Sequence, residues 1–341
     1  MGWKGTLRSM QAASRKADRN AQRRQRELQV RQKEYAKMEA LEQAAYEVEV
    51  YENQIDVLLS VHKECGEEID WQSIVDRAEP VEPAFADTSE AHAKAQEQTY
   101  KPGFFARLFK LETRQRKNLA AAIEMGRLHD AKQHEAAVAK WRVEHDSWHQ
   151  EYTIAQGVLS GIGKSKLEAI KLVDPFTDIS HLGTSIKFSI GETGLVEASL
   201  GVHGVRVIPA EIKSLLQSGK LSTKKMPLGK YNELLQDYVC SCVLRVGREL
   251  LSMLPDELVI VTAIDDVLNS ATGHIEELPI LSVAISRHSL ETLNLDSIDP
   301  SDSMKNFVHN ASFKKTLGFQ PIRALDAQQF ATNAKQIDGI G

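Results

Sequence analysis

Three cysteines, ten prolines and 6% aromatic residues are sparse for a chain of 341 residues. Cys65, Cys240 and Cys242 are too few, and odd in number, for a disulfide scaffold, and they suit a reducing compartment. No run of 18 apolar residues exists, which excludes a bilayer-spanning helix. Residues Met1 to Thr6 lack the apolar core of a secretory signal, so a cytoplasmic location is expected. Also missing are the Gly-x-Ser-x-Gly elbow, the His-Glu-x-x-His helix and the Rossmann glycine pattern, and with them the familiar hydrolase, metalloprotease and dehydrogenase signatures. What remains is ordinary globular material: 42% hydrophobic, 26% charged, and long enough for about two domains.

Proline is absent from Leu7 to Cys65, glycine is absent between Gly5 and Gly66, and Ala, Gln, Glu, Arg and Lys dominate, so the spacing predicts one long helix. Its later part repeats every seven residues, Leu41, Val48, Ile55 and His62 interleaved with Met38, Ala45 and Leu59, which places one stripe against a partner. Its charge is segregated. Residues 1 to 37 hold eleven basic side chains against Asp18, Glu27 and Glu34, a net of +8, whereas residues 38 to 70 hold ten acidic ones against Lys63, a net of −9. The whole-chain charge of −5 conceals this opposition. Arg15, Lys16, Arg19, Arg23, Arg24 and Arg26 are therefore candidate nucleic-acid contacts, each neutralised phosphate adding salt-dependent affinity. An acidic segment of a second copy is the competing partner.

From Asp76 to Gly103 the rhythm fails: Pro80, Pro83 and Pro102 break helices and the stretch is acidic. It reads as a linker with one short helix near Ser89 to Gln98. A second long helix is expected from Phe104 to about Leu159, its stripe Ala137, Trp141, His145, Trp148, Tyr152, Ala155 and Leu159 repeating at three and four residues. Two long helices joined by a bend fold back antiparallel most simply. The start of the second, Phe104 to Leu111, is apolar on one face and basic on the other, and reads as a plug at the hairpin tip more readily than as a membrane-surface segment. The glycines of Gly161-Ile162-Gly163 read as a hinge. As the turn of a helix-hairpin-helix unit they would instead let Lys164 and Lys166 flank a phosphate.

Beyond Asp174 the period changes from helical to alternating. Thr184 to Ile190, Leu195 to Leu200 and Val205 to Ile208 read as strands, Pro209 as the start of a helix through Gln217, and Tyr231 to Met253 as a long buried helix. Leu258 to Ile264 and Pro279 to Ser286 read as two further strands, with short helices around Leu290 and Met304. The expected class is α+β: a long antiparallel, coiled-coil-like helical hairpin, then a compact mixed domain. The segments are 1–75 (long helix with basic arm), 76–103 (acidic linker), 104–165 (second long helix), 170–325 (α+β domain) and 326–341 (tail).

Two places in that domain carry candidate chemistry. Glu211-Ile212-Lys213 has the Glu-x-Lys spelling of metal-dependent nucleases, although a helix start would explain the glutamate by the helix dipole. Asp265, Asp266, His274, Glu276 and Glu277 fall in one strand connection and could bind a divalent cation such as Mg²⁺. The catalytic candidates are thus Asp265, Asp266, Glu211 and Lys213, and the metal candidates Asp265, Asp266, His274 and Glu276; an ordinary acidic connection, with no cofactor, competes with both.

Ser270-Ala271-Thr272-Gly273-His274, Pro279-Ile280-Leu281-Ser282-Val283-Ala284, Asp299-Pro300-Ser301-Asp302 and Phe307 resemble a group of bacterial proteins that join a helical N-terminal half to this kind of C-terminal domain. The resemblance covers roughly residues 174 to 320. It implies a bacterial, cytoplasmic protein and carries no activity with it. The leading expectation is an interaction or scaffold protein that oligomerises or docks on a partner through helices 38–65 and 104–160, with nucleic acid a second partner of the basic arm. The alternative is a metal-dependent nuclease-like hydrolase acting through the C-terminal domain.

Overall fold

The computed structural model describes residues 40–101, 112–177, 185–268 and 272–330. They form two compact units. One is Ser73–Thr153, and the other joins the residues up to Gln72 to those from Ile154 onward.

The larger unit, the head, is a mixed α+β fold. Strands β1 (Ser185–Ile190), β2 (Val196–Gly201), β5 (Leu258–Leu268), β6 (Ile275–Ser286) and β7 (Val308–Ala311) form one sheet in the order β1-β2-β5-β6-β7. β2 and β5 are parallel and the other neighbours antiparallel. Parallel neighbours need a long crossover, and helix α7 (Leu228–Met253) supplies it. Alternation then decides the faces. Val196, Ala198 and Leu200 pair with Val259, Val261 and Ala263, and all six are buried. α7 carries Tyr238, Val239, Cys242, Val243, Val246 and Leu250, also fully buried. Gly247 marks how closely helix and sheet approach: a Cβ there would stand 2.4 Å from Ile285 Cδ1. The opposite face is partly covered by the C-terminal strap, where Ile322 N donates to Pro279 O, Leu325 N to Ser282 Oγ, and Ala327 packs on Ile260 and Ala284.

Helix α1 (Ala40–Leu59) belongs to this head. It buries Ala44, Val48 and Leu58, while Leu41, expected in the stripe, is exposed. The helix ends at Leu59, short of the expected 65, because the chain bends onto α7. His62 N and Nδ1 both meet Ser241 Oγ, its Nε2 meets Leu295 O, and Gly66 N donates to both carboxylate oxygens of Glu249. Burial lowers the His62 pKa, so this imidazole stays neutral in the fold. Trp71, opening helix α2 (Trp71–Val75), donates its indole N–H to Met253 O.

Two local expectations change. Val205 to Val207 lie in a short helix, α6 (Gly204–Val207), with Ile208 extended after it, because His203 takes a left-handed backbone and turns the chain. Glu211–Leu215 is a strand, β3, paired antiparallel with β4 (Leu221–Lys225) around Gly219, whose φ of +77° suits glycine. Pro209 therefore precedes a hairpin instead of opening a helix. α5 (Gly163–Val173) lies beside β1, with Phe176 and Phe188 in ring contact at 5.3 Å.

In the smaller unit, helix α3 (Thr88–Thr99) and the extended stretch before it run antiparallel to α4 (Glu112–Leu159). α4 is 48 residues long, about 72 Å at 1.5 Å per residue; its last turns, from Ile154, belong to the head and bury Ile154, Ala155 and Val158. The antiparallel hairpin is present with a different first leg. The expected stripe of Trp141, His145 and Trp148 is met by residues 77–80: Trp141 Nε1 donates to Pro80 O (2.9 Å), Trp148 Nε1 to Arg77 O (3.2 Å), and His145 Nε2 lies 3.0 Å from Glu79 Oε1. Farther along, Asp130, 2% exposed, accepts the N–H groups of Ser89 (3.1 Å) and Glu90 (2.8 Å). Burial pushes its pKa up, but these backbone donors outweigh burial and hold the carboxyl below its usual range.

Lys166, a proposed phosphate contact, is turned inward. Its Nζ lies 2.6 Å from Asp256 Oδ1 and 3.3 Å from Gly194 O, with both side chains of the pair about nine-tenths buried. Lys164 points to solvent. Removing one member of a buried pair strands the other charge, so Lys166→Ala lowers stability by about 3 kcal/mol and Lys164→Ala by less than about 0.5 kcal/mol. Urea unfolding of the two variants compares them; equal, small losses would contradict the buried pair.

Candidate functional site

The head's most mixed collection of chemistry lies where β2 and β5 end side by side. Crevices beyond the carboxyl ends of parallel strands are common ligand positions. A small concavity there is lined by Ser185 and Lys187 of β1, Ser199 and Gly201 of β2, His203, Ile264, Asp265 and Asp266 of β5, and Glu277 of β6. Gly201 makes the space: a Cβ there would stand 2.6 Å from Ser185 Oγ and 3.7 Å from His203 Nε2. His203 has a φ of +31°, a conformation non-glycine residues seldom adopt. Its Nδ1 is shielded, makes no hydrogen bond, and stands 3.9 Å from Asp266 Oδ2. A register shift between Ala263 and Ile264 reorganises this end of the sheet, and beyond it Asp266 pairs with Glu277.

Asp265 lies on the inner side. Burial raises its pKa foremost and neighbouring Asp266 adds to the rise, while the N–H groups of Asp266 and Gly204 work against it. A lysine, an imidazole and three carboxyls around a small polar hollow can bind a polar ligand. They do not make a metal centre: among the described residues no three His, Cys, Asp or Glu side chains come together to hold an ion.

The sequence candidates divide accordingly. Asp265 and Asp266 line the concavity, but their expected co-ligands do not join them. His274 is exposed, and Glu276 accepts the Thr272 hydroxyl at 2.6 Å. Strand alternation puts Glu277, not Glu276, beside Asp266. Glu211 and Lys213 sit in the separate β3–β4 hairpin, where Lys213 Nζ is engaged by Glu47 at 2.8 Å, so the Glu-x-Lys spelling builds no site with Asp265. Lys187 and Glu277 enter the concavity through strand register and His203 through the left-handed turn after β2, neither of which residue spacing alone reveals. Arg15, Lys16, Arg19, Arg23, Arg24 and Arg26 lie outside the described residues, as does Phe104 to Leu111.

A second feature lies on α4. Ala121, Met125, Leu128, Lys132, Ala136, Ala139 and Val143 repeat every eleven residues, a period of 3.67 that stays on one side of a nearly straight helix. All seven are exposed; Met125, Leu128 and Val143 are 71%, 60% and 61% exposed. At 100° per residue, Asp130, His134, Trp141 and Trp148 point about 140–180° away from Met125. The apolar stripe is thus opposite the face that residues 77–99 cover. The Cys240 and Cys242 thiols, by contrast, are buried and pushed up in pKa, which makes them inert core groups.

No family model, curated protein or solved structure matches the chain.

A carboxyl whose pKa rises on folding costs stability while ionised, and the cost fades as the pH falls through the folded pKa toward the usual 3.8. Asp265→Asn keeps an acceptor for the Gly204 N–H, so its urea midpoint exceeds that of the wild type at pH 7, and the difference narrows toward about pH 4. A lower midpoint at pH 7 would mean that the charge is stabilising where it sits.

Proposed function

We propose that this is an interaction protein with a folded α+β unit and a helical unit that docks on a partner through the exposed face of α4. The observation carrying this reading is the two-faced character of α4, one side pegged by residues 77–99 and the opposite side apolar and open to solvent. Exposed apolar residues aligned at helical spacing over several turns suit helix-on-helix recognition. The basic segment of residues 1 to 37 supplies a second docking element, for a polyanion such as nucleic acid. The hydrolase alternative requires convergent metal ligands, and the described residues bring together no such set.

One set of variants separates the elements. Leu128→Glu with Val143→Glu alters a solvated face, so in protein dilute enough to be a single chain the urea midpoint stays within about 0.5 kcal/mol of wild type; a loss of several kcal/mol there would place that face inside the chain's own packing and sink the docking reading. In anisotropy titrations, duplex DNA affinity falls steeply with salt and disappears when Arg19, Arg23, Arg24 and Arg26 become glutamate, whereas the α4 pair leaves it unchanged. Binding that ignores salt, or no binding, removes nucleic acid from the proposal.

A further inference from the structure

We infer that the occupant of the exposed α4 face is a second copy of this chain, with the two α4 helices antiparallel and their twofold axis at Lys132. The inference rests on the docking reading and names its partner.

Steric complementarity comes first. Around an axis at residue 132, residue i of one copy faces residue 264 − i of the other. Met125 then meets Ala139, Leu128 meets Ala136, and Ala121 meets Val143. Every large apolar side chain of the stripe faces a small one, the alternation by which helix surfaces interdigitate. A parallel pair in register would instead set Met125 on Met125 and leave the alanines facing gaps.

Charge selects the same arrangement. In an antiparallel pair, residues on one edge of the interface face residues on the same edge of the partner. Along one edge of the stripe run Lys117, Glu124, Glu135, Arg142 and Asp146. The proposed register brings Lys117 close to Asp146 of the second copy and Glu124 close to its Arg142. Parallel pairing would instead set this edge against the opposite edge of the partner and would form neither pair. The Lys117 and Asp146 side chains are both exposed, and Glu124 is held only by the solvated Arg127 of its own helix. The single unfavourable meeting is Lys132 with itself at the axis, where its stem can lie along the stripe and its ammonium reach outward toward Glu135.

Thiol crosslinking with sedimentation equilibrium tests this on the full chain in a Cys65→Ser background; Cys240 and Cys242 are buried. Lys132→Cys links to itself under mild oxidation. Met125→Cys does not, because its two copies stand about 21 Å apart along the pair, but it links to Ala139→Cys when the two proteins are mixed. Sedimentation gives a two-copy mass that falls to one with Leu128→Glu, and Lys132→Leu tightens association at least tenfold. A single-copy mass at every concentration, self-linking of Met125→Cys, or failure of the mixed pair to link would overturn the inference. If the mass is that of one chain while Leu128→Glu keeps the wild-type urea midpoint, the open face stands and only the second copy falls. If Leu128→Glu unfolds the chain, the docking reading falls as well.

Discussion

The arm depends on how a carboxylate and two indoles fasten an extended stretch of chain to a very long helix. Asp130 accepts the first free N–H groups of α3, while Trp141 and Trp148 donate to main-chain carbonyls that the extended backbone of residues 77–80 would otherwise leave to water. Gly126 allows the close approach, since a Cβ there would stand 2.8 Å from Ser89 O. These pegs all lie on one side of α4. A helix held from one side need bury no apolar residue on the other, and that is why Met125, Leu128 and Val143 can stand in solvent while the helix stays whole.

The head obeys a different constraint. Joining β2 to a parallel neighbour requires a crossover, and α7 meets the requirement at Gly247, where helix and sheet nearly touch. The same parallel pairing places the ends of β2 and β5 side by side, so His203, Asp265 and Asp266 share one hollow with Lys187 and Glu277. Asp265 is held there against the cost of burying its charge, and such groups recur where a protein uses them.

Much of this was legible in residue order. Helical spacing located α4 to its last residue and α7 to within three residues at its start, and apolar runs located the inner parts of β5 and β6, while Asp265 to Leu268 and Ile275 to Leu278, read as connection, continue the two strands. The misreadings share a cause, since each depends on what a segment meets in space. Pro209 suggested a helix, but pairing with Leu221–Lys225 makes Glu211–Leu215 a strand. Trp141 and Trp148 announced a covered face without saying that residues 77–80 cover it. Lys166 looked like a surface cation beside Lys164, yet two residues along the helix turn it about 200°, toward Asp256. Glu277 stands with Asp266 only because of the register shift at Ala263/Ile264, without which Leu278 would take its place.

Amide hydrogen exchange, comparing wild type with Asp130→Ala at low protein concentration, tests most directly whether the pegs on one side alone hold α4. The account predicts slow exchange across residues 123–148 in the wild type, much faster exchange there in the variant, and unchanged protection in α7. Full protection of residues 123–148 in the variant, or equal loosening of α7, would contradict it.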